Sequence, residues 1–244
     1  MLITTSLLTA SATGALPTAL WLHGMQRESR AELMHKIRTA QLLGHAAALR
    51  DHGSGAHNFR VAYMASLFGE AWGMNKAEIG SLMKGAFLHD VGKIGIPDGI
   101  LLKNGPLDED ELTVMRKHPE MGKDLLVGTS WFEDAIPVVL HHHERFDGTG
   151  YPARLSGQAI PLNARLFAVI DVFDALLTVR PYKEAFFLDK ALNIIEEGCD
   201  SHFDPEVVKR FVPLAPSFFD AIYSRTELEL KALLEGRRKK IIGV

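Results

Sequence analysis

KAEIGSLMKGAFLHDVGK, residues Lys76–Lys93, decides how the rest of the chain is read. The run to Leu88 is an apolar helix, and it ends abruptly in His89-Asp90-Val91-Gly92-Lys93. A charged Asp at the end of an apolar helix is costly to bury unless it is paired or bound to a metal. On a helix, adjacent His and Asp point about 100° apart, so the two can grip one ion from two directions while the carboxylate reaches a second. Lys93 lies one turn on from Asp90, on the same face. A cationic donor there suits a phosphate oxygen or a leaving alkoxide. The plainer reading is a helix C-terminus where His and Lys meet the dipole and Asp opens a turn.

Working outward, helical spacing dominates on both sides. Glu28 to Arg50 holds good helix formers, with Leu33, Ile37, Leu42 and Leu43 at helical intervals. His57 to Trp72 repeats the pattern and Gly73 closes it. Asp108 to Lys117 is a short polar helix with Asp108 as its N-cap, extended by Gly122 to Leu126. Phe132 to His143 is apolar and then rich in histidine. Glu144 to Pro161 is a long structured loop, the kind of segment that carries function in compact domains. Leu162 to Leu177 is nearly all apolar and reads as a buried helix. Asp189–Glu197, Pro205–Phe211 and Ser217–Leu234 add three more helices, and Arg237–Lys240 reads as a short basic tail. No segment alternates over a strand's length, so the fold class is all-α.

The remaining chemistry gathers at two places. His141-His142-His143-Glu144-Arg145-Phe146-Asp147-Gly148-Thr149-Gly150-Tyr151-Pro152 puts three histidines after an apolar run. Burial keeps such imidazoles neutral, which is the ligating form, and the Gly-Tyr-Pro turn can bring Tyr151 to a ligand. Asp171 and Asp174 share one face of the apolar helix. One suits a metal and the other an imidazole to be oriented, unless both merely pair with Arg165 and Arg180. His57 and His118 carry little weight alone and gain it from the set.

Composition narrows the partners. The 244 residues carry 27 Lys and Arg against 30 Asp and Glu, a formal net charge of −3, which gives no reason to expect a long nucleic acid. With one cysteine, Cys199, no disulfide forms within the chain and a thiolate zinc site is excluded. Cys199 lies outside the motifs and reads as a packing residue. Eleven histidines near carboxylates suit Fe, Mn or Ni, or zinc with mixed ligands. Residues 1–22 are uncharged and long enough to span a bilayer. Arg27, Arg30, Lys36 and Arg38 follow, so a span would leave the rest cytoplasmic; the alternative is a helix packed on the domain or on a partner subunit.

His89-Asp90 with downstream Asp171 resembles the HD superfamily of metal-dependent phosphohydrolases. The stretches His89–Pro97, His141–Pro152 and Asp171–Tyr182 are similar to its HD-GYP type, over about Leu43 to Phe211. The resemblance implies an HD-domain helical bundle with an N-terminal helical extension. The expected organisation is an apolar segment at 1–22, a helical linker at 23–42, the HD-GYP unit at 43–215, and a C-terminal helix with basic tail at 216–244. It also implies a cyclic di-GMP phosphodiesterase giving linear pGpG and GMP, with two divalent ions, iron or manganese. By position, His57, His89, Asp90 and Asp171 hold one ion; Asp90 bridges to the second, completed by His118, His142 and His143. Lys93, Arg180 and Lys183 match residues that contact the substrate, and Tyr151 matches the signature tyrosine. Some members carry a glutamate where this chain has Gly53, and that glutamate supports a third metal; two ions are therefore expected here.

Three other readings stand beside this one. The first is another cyclic dinucleotide, such as mixed guanine–adenine cGAMP. The second is a module that senses the nucleotide or docks a diguanylate cyclase with weak turnover. The third, a general nucleotide phosphohydrolase, is disfavoured by the Gly-Tyr-Pro loop. The helix Glu28–Arg50 is the segment through which a homodimer would form.

Overall fold

The computed structural model describes residues 15–50, 56–179 and 184–242, with side chains from residue 31 to 241. Arg180 and Lys183, two expected substrate contacts, lie outside the described residues, as do Gly53 and residues 1–14. Helix α1 (Ala15–Arg50) is a long arm. It leads into α2 (Ala56–Trp72) and α3 (Lys76–Leu88), which pack along each other. Three short helices follow, α4 (Asp98–Leu101), α5 (Glu109–Met115) and α6 (His118–Leu126), and then α7 (Ile136–His141). The buried α8 (Leu162–Leu177) packs on α2, α7, α9 (Leu188–Glu197) and α10 (Pro205–Phe211). The chain closes with α11 (Ala215–Ile222) and α12 (Glu227–Ile242), both against α2. The described residues contain no strand, only one isolated bridge between Cys199 and Phe203, as an all-α reading requires.

Local chemistry sets the helix starts. Asn75 and Glu78 form a capping box before α3, and Asp108 and Glu111 form one before α5. The core is aromatic at its centre. Phe68, Phe173 and Phe211 are fully buried, and Phe211 meets the other two edge-on, with ring centroids 5.2 and 5.1 Å away.

Several elements depart from the sequence reading. The helix expected over Glu28–Arg50 starts at Ala15. Its buried stripe is Ile37, Ala40, Gly44 and Ala47, while Leu42 is 70% exposed. The close approach explains this: a Cβ on Gly44 would lie 2.7 Å from the Phe87 ring, so only small residues fit the contact. The expected Ser217–Leu234 helix is two helices, broken between Ile222 and Glu227. Arg237–Lys240 is no tail but part of α12: Arg237 and Lys240 pair with Glu70, and Arg238 is buried. Cys199 is exposed and does not pack. No helix among the described residues is long and apolar enough to cross a membrane.

Candidate metal centre

Helix α3 stops at Leu88; His89 still has helical dihedrals and Asp90 leaves them. His89 caps the helix, and Asp90 takes φ −97° and ψ 10°, the sparsely allowed region common among active-site residues. A 3₁₀ turn, Val91–Gly95, follows. Asp90 and Lys93 are thus neighbours across this turn and not along a continuous helix, and Lys93 Nζ lies 2.8 Å from the Asp90 carboxylate. Gly92 allows the turn to touch α6: a Cβ there would lie 1.9 Å from the His118 carbonyl oxygen. That contact brings His118 to Asp90.

Two clusters result. One gathers His57 from the first turn of α2, His89, and Asp171 from α8. The other gathers Asp90, His118 from the start of α6, and His142 and His143 from the end of α7. Within each cluster the ligand-type atoms lie within 4.8 Å of one another. Asp90 faces both ways: one oxygen is 3.1 Å from His89 Nε2, and the other is 3.3 Å from His118 Nε2 and 3.9 Å from His142 Nε2. The residues proposed from the sequence as ligands therefore converge.

The ring nitrogens show what the clusters suit. His89 Nδ1 lies 2.9 Å from the Ala86 carbonyl, His118 Nδ1 2.9 Å from the Met115 carbonyl, and His142 Nδ1 3.0 Å from the Val139 carbonyl. His57 Nδ1 lies 2.7 Å from the Asp174 carboxylate. All four partners only accept, so Nδ1 carries a proton, and a ring that is neutral turns the lone pair of Nε2 inward. His57 Nε2 then faces His89 Nε2 at 3.4 Å, and His118 Nε2 faces His142 Nε2 at 3.3 Å. Two facing lone pairs repel unless a cation sits between them, and a divalent ion with N and O ligands fits both places.

Burial favours the same state. It drives the imidazoles of His142 and His118 below the usual range, and that of His143 down to about 3, with the neighbouring histidines adding to the effect. Burial would lower His89 too, but the Asp90 carboxylate outweighs it, aided by Asp171, and the ring rises to about 9. In that cluster a proton and a metal ion compete for one nitrogen.

Asp174 lies in neither cluster, and Arg165 pairs with Asp204 and not with it. Asp174 is fully buried and accepts from His57, from Arg60 Nε at 2.6 Å and from the Tyr223 hydroxyl at 2.8 Å. Despite its burial, these donors hold its carboxyl well below the usual range. Arg60 and Tyr223 have no motif to announce them, although Arg60 sits one turn after His57. Glu144 was likewise hidden within the histidine run. It is buried and accepts the amides of Ala153 at 2.7 Å and Leu155 at 3.0 Å, which fixes the signature loop. His141 points away from both clusters toward Glu144, 3.6 Å distant. Tyr151 stacks on His143 with ring centroids 4.7 Å apart.

The HD domain family matches residues 41–207. A cyclic di-GMP phosphodiesterase of Vibrio cholerae is 46% identical over 187 residues, covering 70% of this chain and 38% of the relative. The cyclic di-GMP phosphodiesterase response regulator RpfG of Xanthomonas campestris is 46% identical over 172 residues, covering 70% of this chain and 46% of the relative. The chain thus spans less than half the length of these two curated relatives. Among solved structures, a cyclic GMP-AMP-specific phosphodiesterase of Vibrio cholerae superposes with a TM-score of 0.61 at 17% identity, covering 80% of this chain and 53% of that one, and so shares its fold. With its two His/Asp clusters and this match, the chain belongs to the HD domain family.

Proposed function

We propose that this protein is a metal-dependent phosphodiesterase that hydrolyses cyclic di-GMP to linear pGpG, and onward to GMP. The carrying observation is the pair of inward-facing imidazole couples with Asp90 between them. His57, His89 and Asp171 would hold one ion, and His118, His142 and His143 the other, with one Asp90 oxygen toward each. Iron, or manganese in its place, suits this histidine-rich mixture with carboxylates. When bound, the ions supply Lewis acidity and a hydroxide near neutral pH.

The protein's own groups do the rest. Lys93, held beside Asp90, is placed to donate to a phosphoryl or departing oxygen. Asp174 keeps the proton of His57 on Nδ1 and so keeps Nε2 free. Tyr151 closes the site over His143, and its burial keeps the phenol protonated as a hydrogen-bond donor. Arg180 and Lys183 are assigned to the substrate by family position. The catalytic unit is taken as residues 43–215, and α1, whose Leu42 and Leu49 are 70% and 71% exposed seven residues apart, is the surface for a homodimer.

Anaerobically purified protein loaded with Fe(II) or Mn(II) tests the reading. Cyclic di-GMP should yield pGpG, and Asp90→Ala should slow turnover at least about a hundred-fold, since it removes a ligand common to both ions. If wild type is no faster than Asp90→Ala, the sensing reading takes its place. Faster turnover of cGAMP would move the substrate to the mixed dinucleotide.

A further inference from the structure

Beside the metal centre, a groove of about 280 Å³ opens between the end of α5, the start of α6 and the signature loop. Its wall includes Thr113, Arg116, Lys117, Glu120, Tyr151 and Arg154. Small-molecule sites span roughly 300–1,000 Å³, so this space suits part of a ligand. Three cations face one carboxylate there. Arg116, Lys117 and Arg154 have no ion-pair partner among the described residues, in contrast to Arg145, which Asp147 holds at 2.9 Å. Three cations against one carboxylate leave the groove net positive, and a net positive groove attracts an anion.

The loop presents its arginine rigidly. Arg154 has φ 53°, a conformation that a non-glycine residue holds only when its surroundings impose it. The imposing group is buried Glu144, which clamps the amides on either side of Arg154, those of Ala153 and Leu155. Tyr151 joins the groove to the metal centre: its ring stacks on His143, and the Arg116 guanidinium lies 5.6 Å from its centroid. One aromatic ring therefore separates the metal clusters from the cationic groove.

We infer that this groove is a subsite for the second nucleotide of the dinucleotide, with Arg116 and Arg154 receiving the phosphate that is not being cleaved. The inference rests on the dinucleotide reading above and adds where the distal half of the substrate sits. Lys117 strengthens the field, and Tyr151 sets the spacing between the cleaved and retained phosphates. A diester with no second nucleotide would gain nothing from the groove.

The test compares cyclic di-GMP with bis(p-nitrophenyl) phosphate, a diester with no nucleotide, on metal-loaded wild type, Arg116→Ala and Arg154→Asn. Asparagine tolerates the left-handed backbone at 154, so the loop is kept, and thermal midpoints check folding. The ratio of kcat/KM for the two substrates should fall at least ten-fold in each variant, through KM for the dinucleotide. A ratio within two-fold of wild type overturns the subsite while the phosphodiesterase reading stands. Calorimetric binding of cyclic di-GMP to the metal-free protein separates the two ideas. Binding that weakens ten-fold in Arg154→Asn supports the subsite even if wild type hydrolyses no dinucleotide. Wild type that neither binds nor hydrolyses it overturns both.

Discussion

Asp174 shows how a single side chain organises a cluster it does not enter. Its carboxylate receives the His57 proton, the Arg60 guanidinium and the Tyr223 hydroxyl, all without exposure to water. Partners that orient a ligating imidazole in this way typically contribute 10–100-fold to metal affinity. Asp174→Asn should therefore weaken ion binding at His57, His89 and Asp171 by about that factor, and it should also leave Arg60 buried without its countercharge. Tyr223→Phe removes one hydrogen bond, about 1 kcal/mol, and should weaken binding less than ten-fold. Competition titration with a chelating dye measures both; unchanged affinity in Asp174→Asn would remove its orienting role. Sequence alone pointed to Asp174 because a carboxylate one turn from Asp171 on an apolar helix needs a partner. It could not point to Tyr223, which is 49 residues away and follows no motif.

At the scale of elements, the arm α1 is fastened to the turn that carries Lys93. Arg50, in its last turn, donates to the Ile96 carbonyl at 3.0 Å and the Lys93 carbonyl at 3.4 Å, and also contacts the Ile94 carbonyl and Asp98. These carbonyls lie at the end of the 3₁₀ turn, and that of Lys93 also accepts the Ile96 amide at 3.1 Å. Arg50→Ala should loosen this turn, with hydrogen exchange rising over residues 91–98 and little changed in α8. Wild-type exchange over 91–98 would show that Arg50 does not hold the turn. Apolar spacing revealed most helices but not every end. From 217 to 234 the pattern runs across a break that Thr226 and Glu229 cap, with the Thr226 amide 2.8 Å from the Glu229 carboxylate. Spacing records which face is buried, whereas such a cap records where a helix begins.

Over the whole molecule, the signature loop is tied to the bundle through the turn before α10. The amides of Phe146 and Asp147 donate to the carbonyls of His202 and Ser201 at 3.1 and 2.8 Å, and the His202 ring stacks on buried Phe203. This long-range closure could not be read from residues 199–203, which carry no periodic signal. Burial, then the nearby Arg145 charge, lowers the His202 imidazole from 6.5 to about 4. As pH falls, the unfolded chain takes up this proton before the folded one does. The ring's contribution to stability is thus complete above about 6.5 and is lost between there and about 4. Between about pH 7 and pH 5 the loss from this ring is about 1–2 kcal/mol. In His202→Gln, urea denaturation should show a shallower decline over that interval, with the parent slope reduced by close to one proton. An identical slope in parent and variant would mean that His202 titrates alike in both states, and that the acid sensitivity of the fold arises at the buried histidines of the metal centre instead.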